Sequence, residues 1–337
     1  MIWLTWRQFR LPVATMFAIV AVGAALLLLA ASGLDVVTGQ TDLRQLSDSV
    51  GTAYLVSTGA VYVLPGAIGV FWGAPLVARE LENGTHRLVW NQTVTRTRWL
   101  VVKIGIGGLA AMAVAGLTSL VVGWWAGPID AAAETTNAGL FAPRISGWVF
   151  AARGIAPMGH AVFAFVLGVA VGVVLRRTVA AMAVTLVVFA AVQVLFPLFV
   201  RPHIIPPVVQ TTSMSQSASP SLYLDDAGRI TKIRALGPPG VWMVDNNTVD
   251  AAGDVVSKLP AEVADCAPVY TGPSSAQAPR PLSECMAKLD ALGYKQRLTF
   301  QPSSRFWPLQ AAELGIFLVL SGLLAWFSVR WISRRPT

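Results

Sequence analysis

Apolar residues in this chain come in long runs, and most of the charged residues fall in the gaps between them. A helix crossing the roughly 30 Å hydrocarbon layer needs about 20 mostly apolar residues. Five runs reach that length easily: Leu11–Ser32, Ala53–Ala78, Val101–Trp125, Gly154–Leu175 and Thr178–Val200. A sixth, Leu309–Ile332, has a shorter uncharged centre, because Glu313 lies near its start and Arg330 near its end. The pattern predicts six membrane-spanning helices. The first run ends in Ala30-Ala31-Ser32, which is small enough for a signal-cleavage site. It is longer than the about 7–15 apolar residues of a secretory signal, so it reads as a retained helix. Upstream, residues 1–10 mix Trp3, Leu4, Trp6 and Phe9 with Arg7 and Arg10, the pattern of a short amphipathic helix lying at the membrane surface.

Composition agrees with the pattern. Hydrophobic residues make up 55% of the 337 and charged residues 12%, about half the usual share. A disordered chain, a disulfide-rich mini-protein and an ordinary cytosolic enzyme are excluded. The net charge of +8 suggests nucleic acid until the charges are placed. Six spans put both termini on one side. The loops of that side carry Arg7, Arg10, Arg79, Arg87, Arg96, Arg98, Lys103, Arg176, Arg177, Arg330, Arg334 and Arg335, against only Glu80 and Glu82. Short-loop Lys and Arg mark the cytoplasmic face. The N- and C-termini are therefore expected in the cytoplasm, and the basic residues follow topology rather than a nucleic-acid surface. Trp72, Trp99, Trp326 and Trp331 fall near cytoplasmic span ends and Trp124, Trp125, Trp148 and Trp307 near external ones, as in an aromatic belt.

Residues 201–308 have a different composition. They hold most of the chain's prolines, nine of its seventeen acidic residues and both cysteines. Ser221–Arg234 alternates around Asp226-Ala227-Gly228, which predicts a hairpin. Ser283–Arg297 sets Met286, Leu289 and Leu292 at helical spacing, and the Ser/Thr-rich Gln210–Pro220 reads as a flexible loop. A small external α+β domain between spans five and six is expected. Outside the cytoplasm thiols oxidise readily, so a Cys266–Cys285 disulfide is the economical reading and two buried thiols the alternative. Ala126–Arg153 is too polar to span and too apolar for a plain loop, and it suits a segment on or within the outer leaflet. The expected organisation is residues 1–10 at the interface, 11–200 as spans one to five, 201–308 external, and 309–337 as span six with a cytoplasmic tail.

Few motifs carry chemistry. There is no G-x-x-x-x-G-K-[ST], so ATP phosphates have no recognisable cradle in this chain. Gly105-Ile106-Gly107-Gly108-Leu109-Ala110 mimics a dinucleotide fingerprint but lies inside a span without a preceding strand, where close helix packing explains it. His86, His160 and His203 fall in three separate regions, and no metal site is expected. His160 and Gln193 are polar residues within spans, suited either to a pathway or to helix packing. Pro65 interrupts span two and predicts a kink. Gly69-x-x-x-Gly73 and Gly168-x-x-x-Gly172 allow helices to approach closely.

The first cytoplasmic loop, residues 79–99, is too elaborate for a connector. Span two continues through Arg79-Glu80-Leu81-Glu82, Gly84 can end that helix, and Thr85 can cap a second one. The result is a projecting helix–turn–helix elbow of mixed charge, suited to docking a partner protein. The bland alternative is a solvated loop of positive-inside arginines.

At these residues the chain resembles an ABC-2-type transporter permease of the kind common in actinobacteria. The likeness rests on Trp3…Trp6-Arg7-Gln8 and on the run from Phe71-Trp72-Gly73-Ala74-Pro75 through Arg79-Glu80-Leu81-Glu82-Asn83-Gly84-Thr85-His86-Arg87-Leu88. It extends to Thr93–Trp99, Arg153-Gly154 and Arg176-Arg177-Thr178. It covers most of residues 1–208 and the last span. The resemblance implies a six-span half-transporter of the bacterial plasma membrane that pairs with a second permease chain, a homodimer being favoured. Each chain docks on a separate ATPase subunit, which holds ATP and Mg, so this chain needs no cofactor and is no enzyme. It also implies that Glu80, Glu82, Gly84, Thr85, His86 and Arg87 form the coupling element. Export of an amphipathic or hydrophobic compound, peptide or lipid is the expected activity.

Other classes fit less well. An ion-coupled transporter would show paired carboxylates in its spans or an inverted repeat. Glu313 is the only carboxylate in a predicted span. A membrane enzyme would need a catalytic set. A membrane sensor or immunity scaffold, using its external domain, is the alternative that remains.

Overall fold

A computed structural model of the chain describes residues 48–84, 95–135, 141–215, 221–224, 230–256, 259 and 282–334, with isolated helical positions between 14 and 27. It divides into a helical unit and a smaller unit made of residues 134–137 and 206–303. Among the described residues, five helices are long and apolar enough to cross a membrane. They run as follows. Helix α1 (Asp48–Ile68) passes through a π turn (Gly69–Gly73) into α2 (Ala74–Glu82), making one span. Helix α3 covers Arg96–Thr135 and the short α4 covers Gly147–Phe150. Helix α5 covers Ala156–Leu175. Helix α6 (Thr178–Leu195) continues through a second π turn (Phe196–Val200) into α7 (Arg201–Ile204). The final long helix, Phe306–Arg334, is described after the strands. The N-terminal stretch expected to supply a sixth span lies largely outside the described residues.

Three of the spans, Asp48–Glu82, Arg96–Thr135 and Phe306–Arg334, exceed their apolar runs at both ends. Helix α3 has 40 residues, about 60 Å, so it outreaches the bilayer. It absorbs the first part of Ala126–Arg153, which was expected to lie on or within the outer leaflet, and carries Asp130 near its end. Asp130 thus lies on the same continuous helix as the third apolar run, five residues beyond its end. The polar helix ends are tolerated because their charges are paired, as described below.

Helix α5 is the centre of the bundle. Its most apolar stretch is 78% buried, against 28% in the span containing α6 and 22% in the last helix. All three are similarly apolar, so their sequences alone do not separate core from lipid-facing helix. The two small-residue motifs meet: a Cβ on Gly69 would lie 2.6 Å from the Ala164 carbonyl oxygen, and one on Gly172 would lie 2.8 Å from that of Ala74. Backbones touch along this seam because no side chain intervenes. Gly107 similarly seats the Phe165 ring, so the fingerprint-like glycines sit in helix packing. The tryptophans divide. Trp124, Trp326 and Trp307 are exposed, as a belt requires, whereas Trp72, Trp99 and Trp125 are buried in the core. Trp99 is held there under the Lys103 ammonium, 4.7 Å from the ring centre.

The smaller unit contains β1 (Val208–Ser213), β2 (Ser221–Leu224), β3 (Ile230–Arg234), β4 (Trp242–Val249), α8 (Leu282–Ala291) and β5 (Lys295–Gln301). Helix α9 (Phe306–Arg334) then returns to the helical unit. Strands β1, β5 and β4 form an antiparallel sheet with β5 central, and β2 pairs β3 in the expected hairpin. Two expectations are corrected. Gln210–Pro220 is not simply a loop, since Val208–Ser213 pairs with Lys295–Phe300. The helix around Met286 ends at Ala291, where Gly293 takes a φ of +84°, and Lys295 onward is strand. Met214, Ile230, Ile233, Cys285, Met286 and Leu289 form the core here. Cys285 is fully buried, and Cys266 lies outside the described residues. Asp290 is pushed up by partial burial, but the Ser215 hydroxyl and the backbone N–H groups of Ser215 and Met214 hold its carboxyl below the usual range.

Candidate functional site

Two parts of the helical unit hold its functional candidates. One is the end of the bundle where α5 finishes, which carries the elbow. The other is the opposite end, where α5 starts.

At the elbow, α2 ends at Glu82, and the Asn83 N–H bonds the Arg79 carbonyl at 3.0 Å. Gly84 follows with φ +71°, a left-handed geometry that side chains disfavour, and its Cβ position is open. Thr85, His86 and Arg87 lie outside the described residues. Thr95 opens α3, accepting the Arg98 N–H on its hydroxyl at 3.3 Å. The two carboxylates of the elbow turn inward. Glu80 accepts the Lys103 ammonium of α3 at 2.5 Å, and that lysine is nearly fully buried. Glu82 accepts the backbone N–H of Thr178 at 2.9 Å and its hydroxyl at 2.7 Å, so a carboxylate sits on the first turn of α6. The base of the elbow is thus tied to two other helices.

At the other end lies a fully buried ionic network. Arg201 donates from Nε to Glu313 Oε2 at 2.8 Å and from Nη2 to Oε1 at 2.9 Å. This is the planar two-pronged match that a guanidinium makes with a carboxylate. His160 Nε2 lies 2.8 Å from Oε1 of the same Glu313. Arg201 Nη1 donates to the Gly147 carbonyl at 2.8 Å, and its guanidinium lies 4.4 Å from the Phe150 ring centre. Gln310 sits beside them: its Oε1 accepts the N–H groups of Ile155 and Ala156, and its Nε2 donates to the Phe150 carbonyl. It caps the start of α5, where N–H groups have no helical partner.

The second π turn explains how Arg201 gets there. The buried positions of α6 are Ala181, Thr185, Phe189, Gln193 and then Phe196. The next is Arg201, five residues on, and the Arg201 N–H bonds the Phe196 carbonyl. A π turn inserts one residue into the helix, which brings Arg201 back to the buried face. Gln193 on that face donates to the Tyr62 carbonyl at 3.4 Å, and the Tyr62 hydroxyl donates to the Gln193 carbonyl at 3.2 Å. Pro65 is buried four residues before the first π turn.

A second network occupies the same end. Asp130 accepts Arg153 Nε at 2.7 Å and the Tyr54 hydroxyl at 2.8 Å, and Arg153 Nη2 reaches the Thr58 hydroxyl at 3.1 Å. The sequence reading singled out none of Asp130, Arg153, Arg201 or Glu313 as a site. A signal was present: arginines at span ends on the sparsely charged face break the positive-inside pattern, and each such charge needs a partner. Among the described residues, no group of three or more His, Cys, Asp or Glu could hold a metal ion. The arrangement contains buttressed charges at both ends of the bundle.

The sequence pattern of one family, described as ABC-2 membrane transporter related, matches residues 9–201, more than half of the chain. No curated protein and no solved structure matches it.

Proposed function

Because the chain belongs to the ABC-2 membrane transporter related family, and so is the permease component of an ABC transporter, we propose that it forms the membrane path of an ATP-driven exporter. Permeases of this family work in the membrane with an ATPase subunit. Two copies of this chain pair, and each elbow, residues 79–99, sits on a separate ATPase that carries ATP and Mg. Leu11–Ser32 supplies the sixth span, and both termini are cytoplasmic in a bacterial plasma membrane. The unit around residues 206–303 lies outside, closed by Cys266–Cys285, in keeping with a buried Cys285. The cargo is an amphipathic or hydrophobic compound, peptide or lipid.

The observation that carries the coupling role is the bracing of the elbow. Its helix is continuous with span two, its carboxylates hold α3 and α6, and the glycine seam joins it to central α5. Closure of the ATPase dimer on ATP pushes the elbow. A braced elbow transmits that push to the helices that line the path, and a floppy loop would absorb it. Glu80 and Glu82 therefore brace the lever, and Gly84, Thr85, His86 and Arg87 form its contact surface. Hydrolysis resets the pair, and no residue of this chain takes part in bond breaking. Gentle-detergent purification of the tagged chain from its native host tests this. A stoichiometric ATPase is expected, and Gly84→Val is expected to lose it while inserting normally. Intact protein with no ATPase under several mild conditions would overturn the reading in favour of a sensor or scaffold.

A further inference from the structure

We propose that the end of α9 near Arg334, together with the groove beside it, is a binding site for one anionic phospholipid. Two adjoining features compose it. The first is a cup formed by Trp326, Arg330, Trp331 and Arg334. The second is a wholly apolar groove of about 240 Å³ lined by residues of α5, α6 and α9, among them Leu167, Val171, Val184 and Leu324. Phe327 lines both, so the groove and the cup adjoin at its ring.

The order of the parts along the membrane normal is that of a lipid. The arginines lie at the C-terminal end of α9, and Leu324 lies about two to three turns deeper in the bundle. Leu324 and Arg334 are ten residues apart, about 15 Å along the helix. A headgroup phosphate in the cup leaves its acyl chain pointing into the groove and towards the bilayer centre. The charge is complementary. Arg330 and Arg334 are exposed, and Arg330 lies over the Trp326 ring at 5.4 Å. Neither has an ion pair among the described residues. The described carboxylates of this end, Glu80 and Glu82, are engaged by Lys103 and Thr178. A phosphodiester supplies the missing anion, and indole rings suit the headgroup level. A zwitterionic lipid brings its own cation and gains less from two guanidinium groups.

The test is native mass spectrometry of the purified full chain in mild detergent, titrated with phosphatidylglycerol or phosphatidylcholine. The chain is expected to prefer phosphatidylglycerol by on the order of tenfold, as two arginines near a lipid surface would give. Arg330→Gln/Arg334→Gln is expected to abolish the preference, and Arg96→Gln/Arg98→Gln at the same end to leave it intact. Val184→Trp fills the groove, keeps every charge, and is expected to weaken binding of both lipids several-fold. That variant carries the test if the double arginine variant fails to insert. No preference in the unmodified chain, equal loss in the Arg96/Arg98 control, an unaffected Val184→Trp, or full displacement by inorganic phosphate would each overturn the proposal.

Discussion

Glu313 has no exposure to solvent, and a charge so placed survives only when it is matched. Its two oxygens take two donors from Arg201 and face His160. Removing one partner leaves the other uncompensated. Glu313→Leu is therefore expected to destabilise the helical unit by about 3–5 kcal/mol. Arg201→Met/Glu313→Leu removes both charges and is expected to recover most of that loss. Thermal unfolding in detergent reads the difference, and a double variant as weak as the single would show that the network acts through shape and not through charge balance. Asp130 and Arg153 obey the same logic, except that Arg153 Nη1 and, in the first network, His160 Nδ1 are buried without a hydrogen-bond partner among the described residues.

At the scale of elements, the glycine seam decides which helices touch. A Cβ on Gly168 would lie 2.6 Å from the Ala74 backbone nitrogen, and backbone cannot move aside as a flexible side chain can. Gly168→Ala should cost about 1–3 kcal/mol, the penalty of forcing atoms into a packed interface. Gly315→Ala in α9, where a Cβ meets nothing within 4 Å, should cost little. Unfolding midpoints of the two variants test this, and equal losses would remove the seam as the reason. The small-residue motifs were visible in the sequence, but not their pairing. Spacing within one helix says which face is smooth, and only a second helix says what lies against it.

For the whole molecule, the alternation of helix directions puts the elbow, Arg176, Arg177 and the end of α9 at one end, and both buried networks at the other. The proposed topology, drawn from the positive-inside pattern, puts the first end in the cytoplasm. In a background with Cys266 and Cys285 replaced by serine, Asn83→Cys and Ser333→Cys should resist a membrane-impermeant thiol reagent added to intact cells. Asp254→Cys should react. Labelling of Asn83→Cys from outside would invert the topology and remove the elbow from any cytoplasmic partner.

Length and continuity of apolar runs were enough, in the sequence, to locate the five long apolar helices found among the described residues, because a helix in lipid must satisfy its own backbone. The hairpin at Ser221–Arg234 was legible for a similar local reason, since turn and alternation lie within fourteen residues. The family resemblance was carried by contiguous residues around Arg79–Leu88. What the sequence could not supply was contact between distant positions. Arg201 and Glu313 are 112 residues apart, and their meeting depends on a π turn that no propensity announces. The strand at Val208–Ser213 looked like a loop because its polar residues are held by a partner almost ninety residues later. Central α5 and peripheral α6 read alike, because lipid and protein interior demand the same apolar surface, and only packing separates them.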